Sequence, residues 1–163
     1  MHVLRRQQDT RTGLYTEAER RRRDSSPWTL VQAILAPLQF VVFLVSLGLV
    51  LRTLATGEGG TAANISIILK TLLLYTIMVT GSLWEKDVFG KYLFAPAFFW
   101  EDAVSFVVIA LHTAYLLCLL SGALSETGLL LLALVAYAAY VINATQFLLK
   151  LRSARLQSVE AAS

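Results

Sequence analysis

Four carboxylates and a dense run of flat rings lie together in the stretch from Trp84 to Asp102, WEKDVFGKYLFAPAFFWED. Its two ends carry the same pattern, an aromatic followed by charge: Trp84-Glu85-Lys86-Asp87 and Trp100-Glu101-Asp102. Phe89, Tyr92, Phe94, Phe98 and Phe99 sit between them, with Gly90 and Pro96 to interrupt regular structure. A carboxyl beside apolar rings is harder to ionise than one in water, so it can act as a proton donor. Many rings with few polar groups among them suit a large, flat, apolar ligand.

The elements that must hold this stretch follow from composition. The chain has 163 residues, 56% of them hydrophobic and only 15% charged. A soluble domain carries about 25% charged residues, so this composition is that of a membrane protein with no separate soluble domain. The single Cys118 lies in an apolar run and reads as a packed thiol. No CxxC, HExxH, P-loop or GxGxxG occurs, and nothing predicts a metal or nucleotide bound by the protein itself.

The fold expected is all-α, a polytopic four-helix membrane bundle. Residues 1–27 form a basic tail, with the first dozen expected to be disordered. Thr16 and Glu19 have capping-box spacing, which predicts a short helix through Arg20-Arg21-Arg22-Arg23. Those arginines read as contacts to anionic lipid and not as a nucleic-acid patch. The first apolar run starts only at Trp28 and is too long for a signal peptide. Residues 28–151 form the membrane domain, with spans at about 28–51, 62–84, 102–122 and 129–149, each near the ~20 residues needed to cross. Residues 152–163 are a C-terminal tail.

Seven of the fourteen Lys and Arg residues precede Asp24. The remainder cluster in the connection between spans two and three and after span four, apart from Arg52 and Lys70. The positive-inside rule then places both termini, and the aromatic segment, on the cytoplasmic side.

Helical spacing identifies the polar groups that converge. Glu101 and His112 are eleven residues apart, almost three turns, so they point the same way, with Ser105 near that line. Asn143, Tyr137 and Tyr140 form a stripe on span four. Gln32 and Gln39 share a face of span one that should turn into the bundle. Lys70 interrupts span two; it is expected near the outer end, reaching to the interface. Each feature has a bland reading: the tryptophans as an interfacial belt, the carboxylates as partners of Lys86 and Lys91, and His112 as a hydrogen-bonded core residue.

Three runs carry a resemblance: Leu14 to Phe40, Lys70 to Leu116, and Ala138 to Arg152. They closely resemble the 2-vinyl bacteriochlorophyllide hydratase family of photosynthetic bacteria, over nearly the whole chain. Asp87 stands where an apolar residue is expected, which makes it a poor catalytic candidate. The resemblance implies addition of water to the 3-vinyl group of chlorophyllide a, or its bacteriochlorophyllide form, giving a 3-(1-hydroxyethyl) product in bacteriochlorophyll a synthesis. It implies no redox cofactor and no metal of the protein's own. It also implies a bacterial inner or intracytoplasmic membrane.

The residue roles rest on position and not on the resemblance. Glu101 is the first choice for the acid that protonates the vinyl group, and Glu85 the second. Asp102 or His112 is the base, and His112 has a rival role as ligand to the substrate magnesium. Trp84, Trp100, Phe98, Phe99, Tyr92, Asn143 and Gln32 are the expected substrate wall, with Lys86 or Lys91 holding the ring propionate. Partners are the pigment, water and lipid, with no nucleic acid. Self-association through Gly48 or Gly81, or contact with other enzymes of the pathway, stays open. A non-enzymatic pigment-binding or assembly protein is the alternative, and a small transporter ranks last.

Overall fold

The computed structural model describes residues 13–163, so the expectation of disorder in the first dozen lies outside the described residues. All regular structure among them is helical. Helix α1 spans Glu17–Ser25, α2 Pro27–Thr56, α3 Gly60–Phe89, α4 Phe99–Ser121 and α5 Glu126–Ala162, with one 3-10 turn at Pro96–Phe98. The four helices after α1 are each long and apolar enough to cross a membrane.

Local chemistry sets the boundaries. Glu19 N–H donates to Thr16 Oγ1 at 3.2 Å and Thr16 N–H to Glu19 Oε2 at 2.7 Å, a reciprocal cap that starts α1. Ser26 ends α1 and caps α2 by accepting from Trp28 N–H at 3.3 Å, with Pro27 in the first turn, where its missing N–H costs nothing. Helix α2 stops at Gly57, which sits at φ 73°. Ser125 caps α5 by accepting from Gly128 N–H at 3.1 Å. Beyond residue 151, α5 continues as helix to Ala162.

Helix α2 packs chiefly on α3 and α4 on α5, giving two helical hairpins joined through α2–α5 and α3–α4 contacts. The bundle is polar-inside in places and apolar-outside throughout. Leu30, Ile34, Val41, Leu72, Leu117 and Leu120 expose large apolar side chains. Gln39, Ser46, Ser66, Thr71 and Asn143 are buried. Small hydroxyl and alanine side chains at the seams let helices approach closely and bond across. Ser46 Oγ lies 2.7 Å from Ser66 Oγ and 2.6 Å from the Tyr137 hydroxyl, linking α2, α3 and α5. Gln39 turns inward, and Gln32 Nε2 donates to Thr80 Oγ1 at 2.6 Å between α2 and α3.

The expectation for Lys70 is overturned. Its side chain is fully buried, with Nζ 3.5 Å from the centre of the Tyr140 ring. It lies on the α3 face turned into the bundle, where reaching the interface would require a path through packed side chains.

A second, smaller apolar cluster closes one end of the bundle. Tyr15, Val88, Ala97 and Phe98 pack there with Trp84, Phe89 and Phe147. Helix α1 lies against this end. Arg22 Nε donates to the Val88 carbonyl at 2.9 Å, so this arginine binds the C-terminus of α3. Arg23 stacks over the Tyr15 ring at 4.8 Å. Burial pushes the Tyr15 phenol above its ordinary range, against the opposing pull of the Arg23 guanidinium. Ser26 Oγ donates to the exposed Asp87 at 2.7 Å.

Gly57 has open space where a Cβ would stand, so only its left-handed backbone restricts substitution. Gly57→Ala is expected to lower stability by about 1–2 kcal/mol, read as a lower midpoint in chemical unfolding in detergent.

Candidate active site

Three of the buried carboxyls gather where the second cluster meets α4. Glu85 comes from the last turns of α3, and Glu101 and Asp102 from the first turn of α4. They are 3%, 6% and 5% exposed, so each must find a partner inside the protein. Adjacent residues on a helix point about 100° apart. Glu101 therefore turns toward α5 and Asp102 toward α3.

On the α3 side, the Glu85 and Asp102 side chains hydrogen-bond each other. A hydrogen bond between two carboxyls requires a proton on one of them, because an ionised carboxylate only accepts. Each acid also holds the loop between the helices. Ala95 N–H donates to Glu85 Oε1 at 3.1 Å, and Phe94 N–H to Asp102 Oδ2 at 2.9 Å. Phe94 is held at φ 60°, a conformation that bulky side chains rarely adopt. The Asp102 bond and a stack of its ring on Phe106, 5.4 Å between centres at 8°, hold it there.

On the α5 side, Glu101 Oε1 lies 3.3 Å from Lys150 Nζ, and Oε2 has no partner among the described residues. Lys150 also donates to the Ala97 carbonyl at 2.8 Å. The backbone of Glu101 is fixed in turn. Asn143 Nδ2 donates to its carbonyl at 2.9 Å, and Ser105 Oγ lies 2.8 Å from the same oxygen. A cleft of about 440 Å³ opens here, lined by Glu101, Gln146, Leu149, Lys150 and Ser153.

The aromatic side chains divide into two sets. Trp84, Phe89, Phe98 and Phe147 pack on one another, with Phe98 at the centre, 5.6 Å from Trp84 and 5.8 Å from Phe147. Trp84 Nε1 also donates to Thr29 Oγ1 at 3.0 Å. These two expected wall residues are therefore committed to the protein's own core. Tyr92, Phe94, Phe99, Trp100 and Phe106 expose their rings, Trp100 most of all at 72%. Phe94, whose N–H bonds Asp102, lies 5.4 Å from both Phe99 and Phe106.

Glu85, Glu101, Asp102 and Asn143 thus come together, as do Phe99 and Trp100, while Tyr92 is exposed beside Lys86. Four expected residues fall elsewhere. His112 is fully buried ten residues beyond Asp102, about 15 Å along the helix. Gln32 is tied to Thr80. Lys86 caps α3 through the Gly90 carbonyl at 3.1 Å and reaches over Tyr92. Lys91 is exposed in the loop. Lys150, Phe94 and Phe106 adjoin the carboxyls; none is among the expected site residues, although the span-four stripe drifts toward Lys150. Lys150 shares a helical face with Gln146 and Asn143, a spacing visible in the sequence, whereas the backbone of Phe94 left no sequence signal.

A model of the family described as 2-vinyl bacteriochlorophyllide hydratase matches residues 15–153. The chain belongs to this family. A curated 2-vinyl bacteriochlorophyllide hydratase from Rhodobacter capsulatus is 68% identical over 152 residues, covering 93% of this chain and 88% of that protein. Another from Cereibacter sphaeroides is 69% identical over 144 residues, covering 88% and 89%. No solved structure matches. The hydratase family match spans every one of the clustered carboxyls and Lys150.

Lys150→Met leaves the buried Glu101 carboxylate without its cation. It is expected to lower stability by about 1–2 kcal/mol, moderated because Lys150 is partly solvated. Adding Glu101→Gln should recover part of that loss in the same unfolding assay.

Proposed function

We propose that this protein is a multi-pass membrane hydratase that adds water to the 3-vinyl group of a chlorophyllide in bacteriochlorophyll a synthesis. The family membership supports the substrate, and the hydrogen-bonded Glu85–Asp102 pair supports the chemistry. Hydration is redox-neutral, so no electron carrier enters its balance.

The pair carries one proton in apolar surroundings. Transfer of that proton to the terminal vinyl carbon forms a C–H bond from the π electrons. The cation forms on the carbon attached to the macrocycle, where conjugation spreads the charge. Water then attacks that carbon, forming the C–O bond and leaving a 1-hydroxyethyl group. The proton released by the water goes to a carboxylate. Glu101 suits that base role because its Oε2 has no partner among the described residues and the residue lines the cleft beside Lys150. The exposed rings around Asp102 offer a platform for the flat macrocycle. The depth of His112 takes it out of these proton transfers, and its full burial puts it out of reach of the substrate magnesium.

The positive-inside pattern supports both termini and the aromatic segment on the cytoplasmic face of a bacterial inner membrane, with residues 28–151 as the membrane domain. A water-soluble intermediate end and a buried acid would then meet at one interface.

The test is incubation of the purified protein with chlorophyllide in detergent, with no added cofactor. Loss of the vinyl group is expected, with ¹⁸O from labelled water in the alcohol and deuterium from D₂O in the new methyl group. Pigment binding without hydration contradicts the proposal. Glu85→Gln and Asp102→Asn are each expected to lower kcat by ~10²–10⁴ at normal protein level, and retained turnover in both removes the pair from the mechanism.

A further inference from the structure

Lys70 on α3 and His112 on α4 meet at mid-bundle, away from the carboxyl end, and both are fully buried. Lys70 Nζ lies 3.5 Å from the centre of the Tyr140 ring and 5.9 Å from that of Tyr137. The His112 ring is 5.8 Å from the same Tyr137 ring. The two groups therefore flank one side chain of α5. Among the described residues, neither Lys70 Nζ nor His112 Nε2 has a hydrogen-bond partner.

The imidazole tautomer follows from its other nitrogen. Nδ1 lies 2.8 Å from the Val108 carbonyl oxygen, which can only accept. Nδ1 therefore carries the proton and Nε2 presents a lone pair. The amine of Lys70 is a donor. The nearby hydroxyls are already engaged: those of Ser46, Ser66 and Tyr137 with one another, and that of Thr71 with the Ile67 carbonyl at 2.8 Å. The two nitrogens are too far apart to bond directly. Buried polar groups of this kind are characteristically satisfied by an internal water.

We propose that Lys70 and His112 form a second binding site, at the centre of the bundle, for one water molecule that accepts from Lys70 Nζ and donates to His112 Nε2. The donor and acceptor pattern selects the ligand. An anion would meet the lone pair of Nε2, and a metal ion would meet the amine's N–H groups. A hydroxyl answers both. Ile67 and Thr71, within a turn of Lys70, and Val108, a turn before His112, are fully buried. The water joins α3 to α4 against the Tyr137 and Tyr140 rings of α5, at a depth where these groups have no direct bond. This site does not depend on the hydration reading.

X-ray radiolysis tests it, because bound water splits into hydroxyl radicals that oxidise the side chains it touches, and peptide mass spectrometry locates the products. In the full-length protein in detergent, His112 and Tyr137 are expected to be oxidised well above Phe98, which is as deeply buried in an apolar cluster. Lys70→Met should reduce that oxidation several-fold, and Lys70→Gln, which keeps a donor, should retain it. Oxidation no greater than that of Phe98 in the unmodified protein overturns the proposal, as does oxidation unchanged by Lys70→Met. Where Lys70→Met is not recovered folded, the comparison with Phe98 decides alone.

Discussion

The contact between Glu85 and Asp102 organises the working end of this molecule. One carboxyl comes from the last turns of α3 and the other from the first turn of α4, and a single proton lets them meet. Glu85 Oε1 and Asp102 Oδ2 receive the N–H groups of Ala95 and Phe94. The same two side chains thus join the helices, close the loop and hold Phe94 in its left-handed backbone. If both acids ionised, repulsion would open the pair and release the loop. The structure and the stored proton are therefore one device, and the proposed chemistry spends the proton that the fold requires.

Glu101 shows how neighbouring acids are set apart for different tasks. It is one residue from Asp102, yet helical geometry turns it onto another helix, where Lys150 awaits it. Asn143 and Ser105 hold the Glu101 backbone, so the division does not rest on a flexible side chain. Trp84, Phe89, Phe98 and Phe147 contribute differently. They form the packed floor under the pair and keep water from it, while the exposed rings around Asp102 remain available.

Much of this was legible in the sequence for physical reasons. Long uncharged runs can only be buried in lipid or in one another, so the four long helices followed from hydropathy. The cap at Thr16 and Glu19 was readable because both partners are local. The gathering of Glu85, Glu101 and Asp102 was visible as a cluster, but its pairing was not. Which acid meets which depends on the angle at which α3, α4 and α5 pack, and no single-chain periodicity records that. The expectation of Glu101 as first-choice acid likewise rests on position along the chain, which carries no record of Lys150 beside it. Lys70 was misread for a related reason: a lysine in an apolar run reaches the interface when its face is outward, and the orientation of α3 is a tertiary fact. The eleven-residue spacing correctly put Glu101 and His112 on one face. The same spacing sets them about 16 Å apart along the helix axis.

The central claim is that the Glu85–Asp102 pair holds a proton at neutral pH. Infrared difference spectroscopy of the purified protein across an H₂O-to-D₂O exchange reads this directly. The account predicts a protonated carboxyl C=O band at neutral pH that shifts on deuteration, disappears in Glu85→Gln and in Asp102→Asn, and persists in Glu101→Gln. Absence of that band in the unmodified protein, or its loss only in Glu101→Gln, would contradict the account.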